Sequence, residues 1–144
     1  MSSNPSARSL PYLSTQNEAH QARAVRFLIV DDHDAFRLIL RQMVESHPIW
    51  AVVAEARDGS EATQLAKTTL PDVVLMDVVM PVMNGIKAAD QIHQMLPGAR
   101  IILFSAYHEE EFVLSGIQAG ADCLIWKDQL SEKSLENIVN SPFS

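Results

Sequence analysis

The 144-residue chain has one cysteine, too few for an internal disulfide or a cysteine-based zinc site. It also lacks long apolar runs. None approaches the roughly 18 residues needed to cross a bilayer, and the N-terminus has no apolar stretch of signal-peptide length. Positive charge is scarce: 11 Lys and Arg stand against 18 Asp and Glu, a formal net charge of −7. A field of that sign argues against gripping nucleic acid or anionic lipid through the segment as a whole. The hydrophobic share, 47%, is ordinary for a globular protein and too high for a disordered one. The composition leads us to expect one reduced, cytoplasmic domain with short tails.

Residues 1–24 are rich in Ser, Asn, Gln and Pro without a sustained period, and are expected to form a flexible tail. From Val25 onward five short apolar runs alternate with amphipathic stretches. The runs are Phe27-Leu28-Ile29-Val30, Trp50-Ala51-Val52-Val53-Ala54, Val73-Val74-Leu75-Met76, Ile101-Ile102-Leu103-Phe104 and Cys123-Leu124-Ile125-Trp126. Runs of this kind read as strands of a parallel sheet buried on both faces. Between them, helical spacing joins Phe36, Ile39, Leu40, Met43 and Val44; Ala62, Leu65 and Ala66; Ile86, Ala89, Ile92 and Leu96; and Phe112, Val113, Gly116 and Ile117. Leu135, Ile138 and Val139 make a fifth face, and Gly116 weakens the fourth helix by about 1 kcal/mol. Five β-α units in a row predict an α/β doubly wound sheet of five parallel strands with five helices.

In such a sheet, ligands bind beyond the carboxyl ends of the strands. Asp31 and Asp32 follow the first run, Asp77 the third, Ser105 the fourth and Lys127 the fifth. Clustered carboxylates call for a hard cation, and an all-oxygen site suits Mg²⁺. A free Asp beside that ion is a plausible nucleophile towards a phosphoryl group, forming an aspartyl phosphate. Lys127 would offset charge on the phosphoryl oxygens, and the Ser105 hydroxyl would sense them. Blander readings exist: Asp31 and Asp32 as helix caps, Asp77 and Ser105 as turn residues, Lys127 as a solvated side chain, Cys123 as a small buried hydrophobe. His33, His47, His93 and His108 show no ligand spacing and are expected on the surface or in loops.

These residues and their surroundings resemble the receiver domain of a two-component response regulator. The pieces that carry the likeness are Val30-Asp31-Asp32-His33, Leu75-Met76-Asp77-Val78-Val79-Met80-Pro81 continuing to Asn84-Gly85, Ser105-Ala106, and Gly120-Ala121 leading to Lys127. The Asp-Asp-His start and the Lys127-Asp128 pair are similar to the NarL/FixJ (LuxR) type. The resemblance implies a flavodoxin-like receiver over residues 25–140, followed by a short tail, 141–144. It further implies that Asp77 accepts a phosphoryl group from a histidine kinase or phosphotransfer protein. Asp32, Asp77 and the backbone carbonyl of Val79 would hold Mg²⁺, and Asp31 would assist through water. Lys127 would pair with the phosphoryl group. Ser105 would act as the switch hydroxyl within a surface that includes Tyr107, Leu124 and Trp126, presented to a partner or to a second copy.

The family's aromatic position, three residues before the lysine, is Leu124 here; Trp126, on the same face of the strand, is expected to supply the aromatic surface. The implied activity is signalling rather than enzymatic turnover, at most with slow loss of the phosphoryl group. Transcription would be controlled through an output domain absent from these 144 residues, and DNA would be bound by that domain rather than by this acidic one. The alternative is a stand-alone or degenerate receiver acting through protein contacts without phosphorylation. A Mg²⁺-dependent phosphohydrolase is a weaker alternative, because it needs a second acid two positions after the nucleophile, where Val79 stands.

Overall fold

A computed structural model describes residues 23–141. Five parallel strands are laid down in the order β2-β1-β3-β4-β5: β1 (Val25–Val30), β2 (Trp50–Ala56), β3 (Val73–Asp77), β4 (Arg100–Ser105) and β5 (Cys123–Trp126). Helices α1 (Asp34–Glu45), α2 (Gly59–Thr69), α3 (Gly85–Met95), α4 (Glu110–Gln118) and α5 (Glu132–Asn140) follow the strands in turn, with one 3-10 turn at Lys127–Gln129. The expected doubly wound architecture is therefore present. Strand alternation splits the core in two. Phe27, Ile29, Val73, Leu75, Ile102 and Phe104 pack under α1 and α5, against Leu40, Val44, Leu135 and Val139. Leu28, Val30, Val74, Met76, Ile101 and Leu103 pack under α2 and α3, against Ala62, Ala66, Ala88, Ala89 and Ile92.

Local chemistry sets the helix starts. Asp58 caps α2, accepting from the Glu61 amide at 2.8 Å, and Asn84 caps α3, accepting from the Lys87 amide at 2.9 Å. Ser131 and Ser134 form a reciprocal capping box on α5. Helix α1 has His33 at its cap with no side-chain capping bond, so neither Asp31 nor Asp32 serves that purpose. Gly116 is the one buried residue of α4: a Cβ there would stand 2.9 Å from the Leu103 side chain, so the glycine lets the helix approach β4.

The chain leaves β1 outward to β2 and returns to β3, so the sheet's switch point lies between β1 and β3. That is where a doubly wound sheet opens a crevice at its carboxyl edge. At the opposite edge, Val25 and Asn140 line one shallow groove together with Asp72, Gly98 and Arg100. The guanidinium of Arg100 donates there to the Val139 carbonyl. Among the described residues no helix is long and apolar enough to cross a membrane. The expected tails, 1–24 and 141–144, fall almost wholly outside the described residues.

Candidate functional site

The crevice gathers the strand-end side chains. Asp77 closes β3, facing Phe104 in register; Asp31 follows β1, its amide donating to the Ala56 carbonyl at 3.1 Å. Both carboxylates are buried, Asp31 completely. Lys127, just past β5, bridges them: its Nζ lies 2.9 Å from Asp31 Oδ2 and 3.1 Å from Asp77 Oδ2. The same ammonium stands 4.3 Å from the centre of the Phe36 ring and 5.5 Å from that of Phe104, so it rests on aromatic faces as well as on carboxylates. Asp77 Oδ1 accepts the Val79 amide at 3.2 Å.

Asp32 sits at the rim with its carboxylate turned inward. Its Oδ1 is closed off from solvent and receives no hydrogen bond from the described residues. One donor atom each from Asp31, Asp32, His33 and Asp77 lies within 4.8 Å of the others. Asp31 and Asp77 share one ammonium while the third carboxylate, Asp32, has a shielded oxygen without a donor among the described residues; a hard oxygen-seeking cation answers both conditions. The residues present therefore fit Mg²⁺.

Electrostatics follow from the packing. Burial pushes the Asp77 carboxyl above its ordinary value; the Lys127 charge works against this and the Asp31 charge adds to it. Burial would lower the Lys127 ammonium, but the hydrogen bond to Asp31 and the charges of Asp77 and Asp31 outweigh it and raise the group. Lys127 thus serves the pocket as the positive charge set against its two carboxylates.

The backbone around Asp77 admits no bulk. A Cβ at Gly85 would fall 2.1 Å from the Asp77 carbonyl oxygen, and the Gly85 amide donates to the Val78 carbonyl at 2.8 Å. The Asn-Gly pair thus presses the start of α3 against the end of β3. Val79 is 43% exposed at the mouth, beside a groove of about 200 Å³ that also touches Met80, Ile86 and Phe112. A wider groove of about 560 Å³ between Met43, His47, Trp50 and Glu136 carries none of these carboxylates.

Ser105 is fully buried at the end of β4, paired in register with Trp126. Its hydroxyl donates to the Tyr107 carbonyl at 3.0 Å and accepts the Tyr107 amide at 3.0 Å. The Tyr107 ring is exposed, whereas Leu124 is half-buried and packs towards the α2–α3 side of the core. The Trp126 ring is stacked by His108, centroids 4.8 Å apart and planes at 14°, and His108 Nε2 lies 3.2 Å from Asp128 Oδ1.

Several groups that carry no motif in the sequence support the site. Arg37 donates to the Asp31 carbonyl at 2.9 Å, to Glu55 at 2.9 Å and to Asp34 at 2.8 Å. Arg41 also engages Glu55, the lone acid of β2, directly after the second apolar run. That acid, with two arginines four residues apart on α1, was the available signal. His33 was expected on the surface or in a loop, and its ring is indeed 68% exposed. Its Nδ1 nevertheless faces the carboxylates, 3.1 Å from Asp31 Oδ1 and 3.4 Å from Asp32 Oδ1. Asp31, expected to assist a metal ion through water, is also in direct contact with Lys127.

Comparison with known proteins adds the family. The response regulator receiver domain model matches residues 27–140. The uncharacterized transcriptional regulatory protein YxjL of Bacillus subtilis (strain 168) is 39% identical over 114 residues, 79% of this chain and 52% of its own. The signal receiver domain of the putative response regulator NarL from Mycobacterium tuberculosis superposes with a TM-score of 0.76 at 34% identity, covering 81% of this chain and 94% of that one. A CheX–CheY–BeF3–Mg²⁺ complex from Borrelia burgdorferi gives a TM-score of 0.77 at 29% identity, over 84% of this chain and 90% of the other. The chain spans about half the length of the first transcriptional regulators it matches. Phosphorylation and dependence on Mg²⁺ are general to receivers, which are signalling domains that engage histidine kinases and phosphotransfer proteins. On the match over residues 27–140 and the shared fold, the chain belongs to the response regulator receiver domain family, with regulators of the NarL/LuxR type among its top relatives.

Proposed function

We propose that the chain accepts a phosphoryl group on Asp77 from the phosphohistidine of a histidine kinase or phosphotransfer protein. The observation that carries this reading is the contact of one ammonium, Lys127 Nζ, with both Asp31 and Asp77 beside the donorless oxygen of Asp32. A carboxylate oxygen of Asp77 forms the new P–O bond as the donor's P–N bond breaks, and the electron pair returns to the donor imidazole. Mg²⁺, held by Asp32, Asp77 and the Val79 backbone carbonyl with Asp31 assisting through water, would neutralise charge on the transferring oxygens. Lys127 moves its contact from the Asp77 carboxylate to the phosphoryl group. The Ser105 hydroxyl turns from the Tyr107 carbonyl to a phosphoryl oxygen, and the loop carrying Tyr107 is remodelled beside Leu124 and Trp126.

Val79 cannot shuttle a proton, which disfavours continuous phosphohydrolase turnover. The relatives named as transcriptional regulators support an output on transcription through a DNA-binding domain of the full regulator. A cytoplasmic setting and pairing of two copies belong to the same reading.

The test is the intact mass of wild type and Asp77→Asn after incubation with Mg²⁺ and a small acyl phosphate. One added phosphoryl group is expected in wild type only, and only with Mg²⁺. An equal adduct on Asp77→Asn, or none on either protein, overturns the proposal.

A further inference from the structure

The acidic pocket contains a group that an all-oxygen cation site does not need. His33 follows directly on Asp32, and its amide donates to Asp31 Oδ1 at 2.8 Å, folding residues 31–33 into a tight turn. That turn sets the Nδ1 edge of the imidazole against the carboxylates while most of the ring stays exposed. Nδ1, not Nε2, faces inward, 3.1 Å from Asp31 Oδ1 and 3.4 Å from Asp32 Oδ1. Asp32 Oδ1 still counts no hydrogen-bond donor, so His33 stands next to that oxygen without satisfying it. Four residues thus present one nitrogen and three oxygens within 4.8 Å of one another. Ligands bound at about 2.1 Å on opposite sides of an ion are about 4.2 Å apart, so small side-chain rotations suffice to close the set.

We propose that His33 is a metal ligand of this pocket through Nδ1, and that it gives the site a preference for borderline divalent transition ions such as Co²⁺, Ni²⁺ or Zn²⁺ over Mg²⁺. The inference rests on the reading of the pocket as a cation site and adds a nitrogen to it. Imidazole suits these ions, while Mg²⁺ takes oxygen and keeps much of its water. The ring is 68% exposed and is held by the 3.1 Å hydrogen bond between Nδ1 and Asp31 Oδ1, which must open for Nδ1 to bind a metal. Its exposure lets it swing aside for Mg²⁺ and engage for a softer ion. Arg37, which donates to the Asp31 carbonyl at 2.9 Å, holds the turn from outside the ligand set.

The test is isothermal titration of the whole chain with CoCl2 and, separately, MgCl2, for wild type, His33→Ala and His33→Gln. Loss of a partner one shell further out already costs metal affinity about ten- to hundredfold. Co²⁺ binding is therefore expected to weaken by about tenfold or more in both variants, with Mg²⁺ binding changed by less than about twofold. In wild type labelled with ¹⁵N-histidine, Zn²⁺ should displace the His33 Nδ1 resonance and leave Nε2 nearly in place. This reading needs no variant. Co²⁺ affinity equal in wild type and variants, equal losses for Co²⁺ and Mg²⁺, or a motionless Nδ1 resonance would overturn the assignment of His33 while leaving the Mg²⁺ pocket standing. Failure of wild type to bind Mg²⁺ at all would overturn both.

Discussion

Asp77 is held in the fold at a cost, because its carboxylate is buried with that of Asp31 and the two share the Lys127 ammonium. Its carboxyl is raised above the ordinary 3.8, chiefly by burial. The folded state therefore holds that proton more tightly than the unfolded chain does. The group's contribution to stability is complete below pH 3.8 and fades as pH rises through the folded value. At neutral pH and without divalent ions, Asp77→Asn should stabilise the fold by about 1 kcal/mol, read from urea unfolding.

Glu55 has the opposite sign. Burial opposes its charge, but hydrogen bonds from Arg41 and Arg37 outweigh burial and keep it below the usual 4.5. Its contribution is full above pH 4.5 and is lost as pH falls through the folded value. Glu55→Gln should cost on the order of 2 kcal/mol at pH 7, with the gap to wild type shrinking below pH 4.5. Unfolding curves for the two proteins across that range check this.

At the scale of elements, the junction of β3 and α3 is the tightest point of the site. Gly85→Ala would drive a methyl against the Asp77 carbonyl. It should cost about 1–3 kcal/mol and slow phosphoryl uptake at Asp77, checked by thermal melting and by the rate of adduct formation. The strands were legible because a parallel sheet buried on both faces leaves unbroken apolar runs, as Val73–Met76 and Ile101–Phe104 show.

Helix faces were legible only in their centres. Leu40 and Val44 are buried as the spacing implied, but Ile39 lies exposed at the edge of that stripe. On α4 only Gly116 is buried and Ile117 is exposed, because that short helix touches the sheet along a single line. The meeting of Asp31, Asp77 and Lys127 was readable from their places after strand ends. The Arg37–Glu55 brace left only a faint trace, one acid in β2 and two arginines four apart on α1, and the inward-facing Nδ1 of His33 left none, since both depend on side-chain direction across neighbouring elements.

Across the whole molecule, the carboxylate pocket links cation binding to the stability of the domain. An ion bound only by the folded state stabilises it by about 2.7 kcal/mol at a hundred times its dissociation constant. Mg²⁺ should therefore raise the melting temperature of wild type in a concentration-dependent way, and Asp32→Asn should largely abolish the response in a thermal-shift titration. The parallel architecture also separates the molecule into two working ends. Val25 and Asn140 meet at the edge opposite the pocket, and six residues of extended β1 put about 20 Å between the two edges. A fluorescent reporter or affinity handle grafted next to either of those residues would begin its path on the far side of the sheet, leaving a docking kinase an unobstructed approach to Asp77.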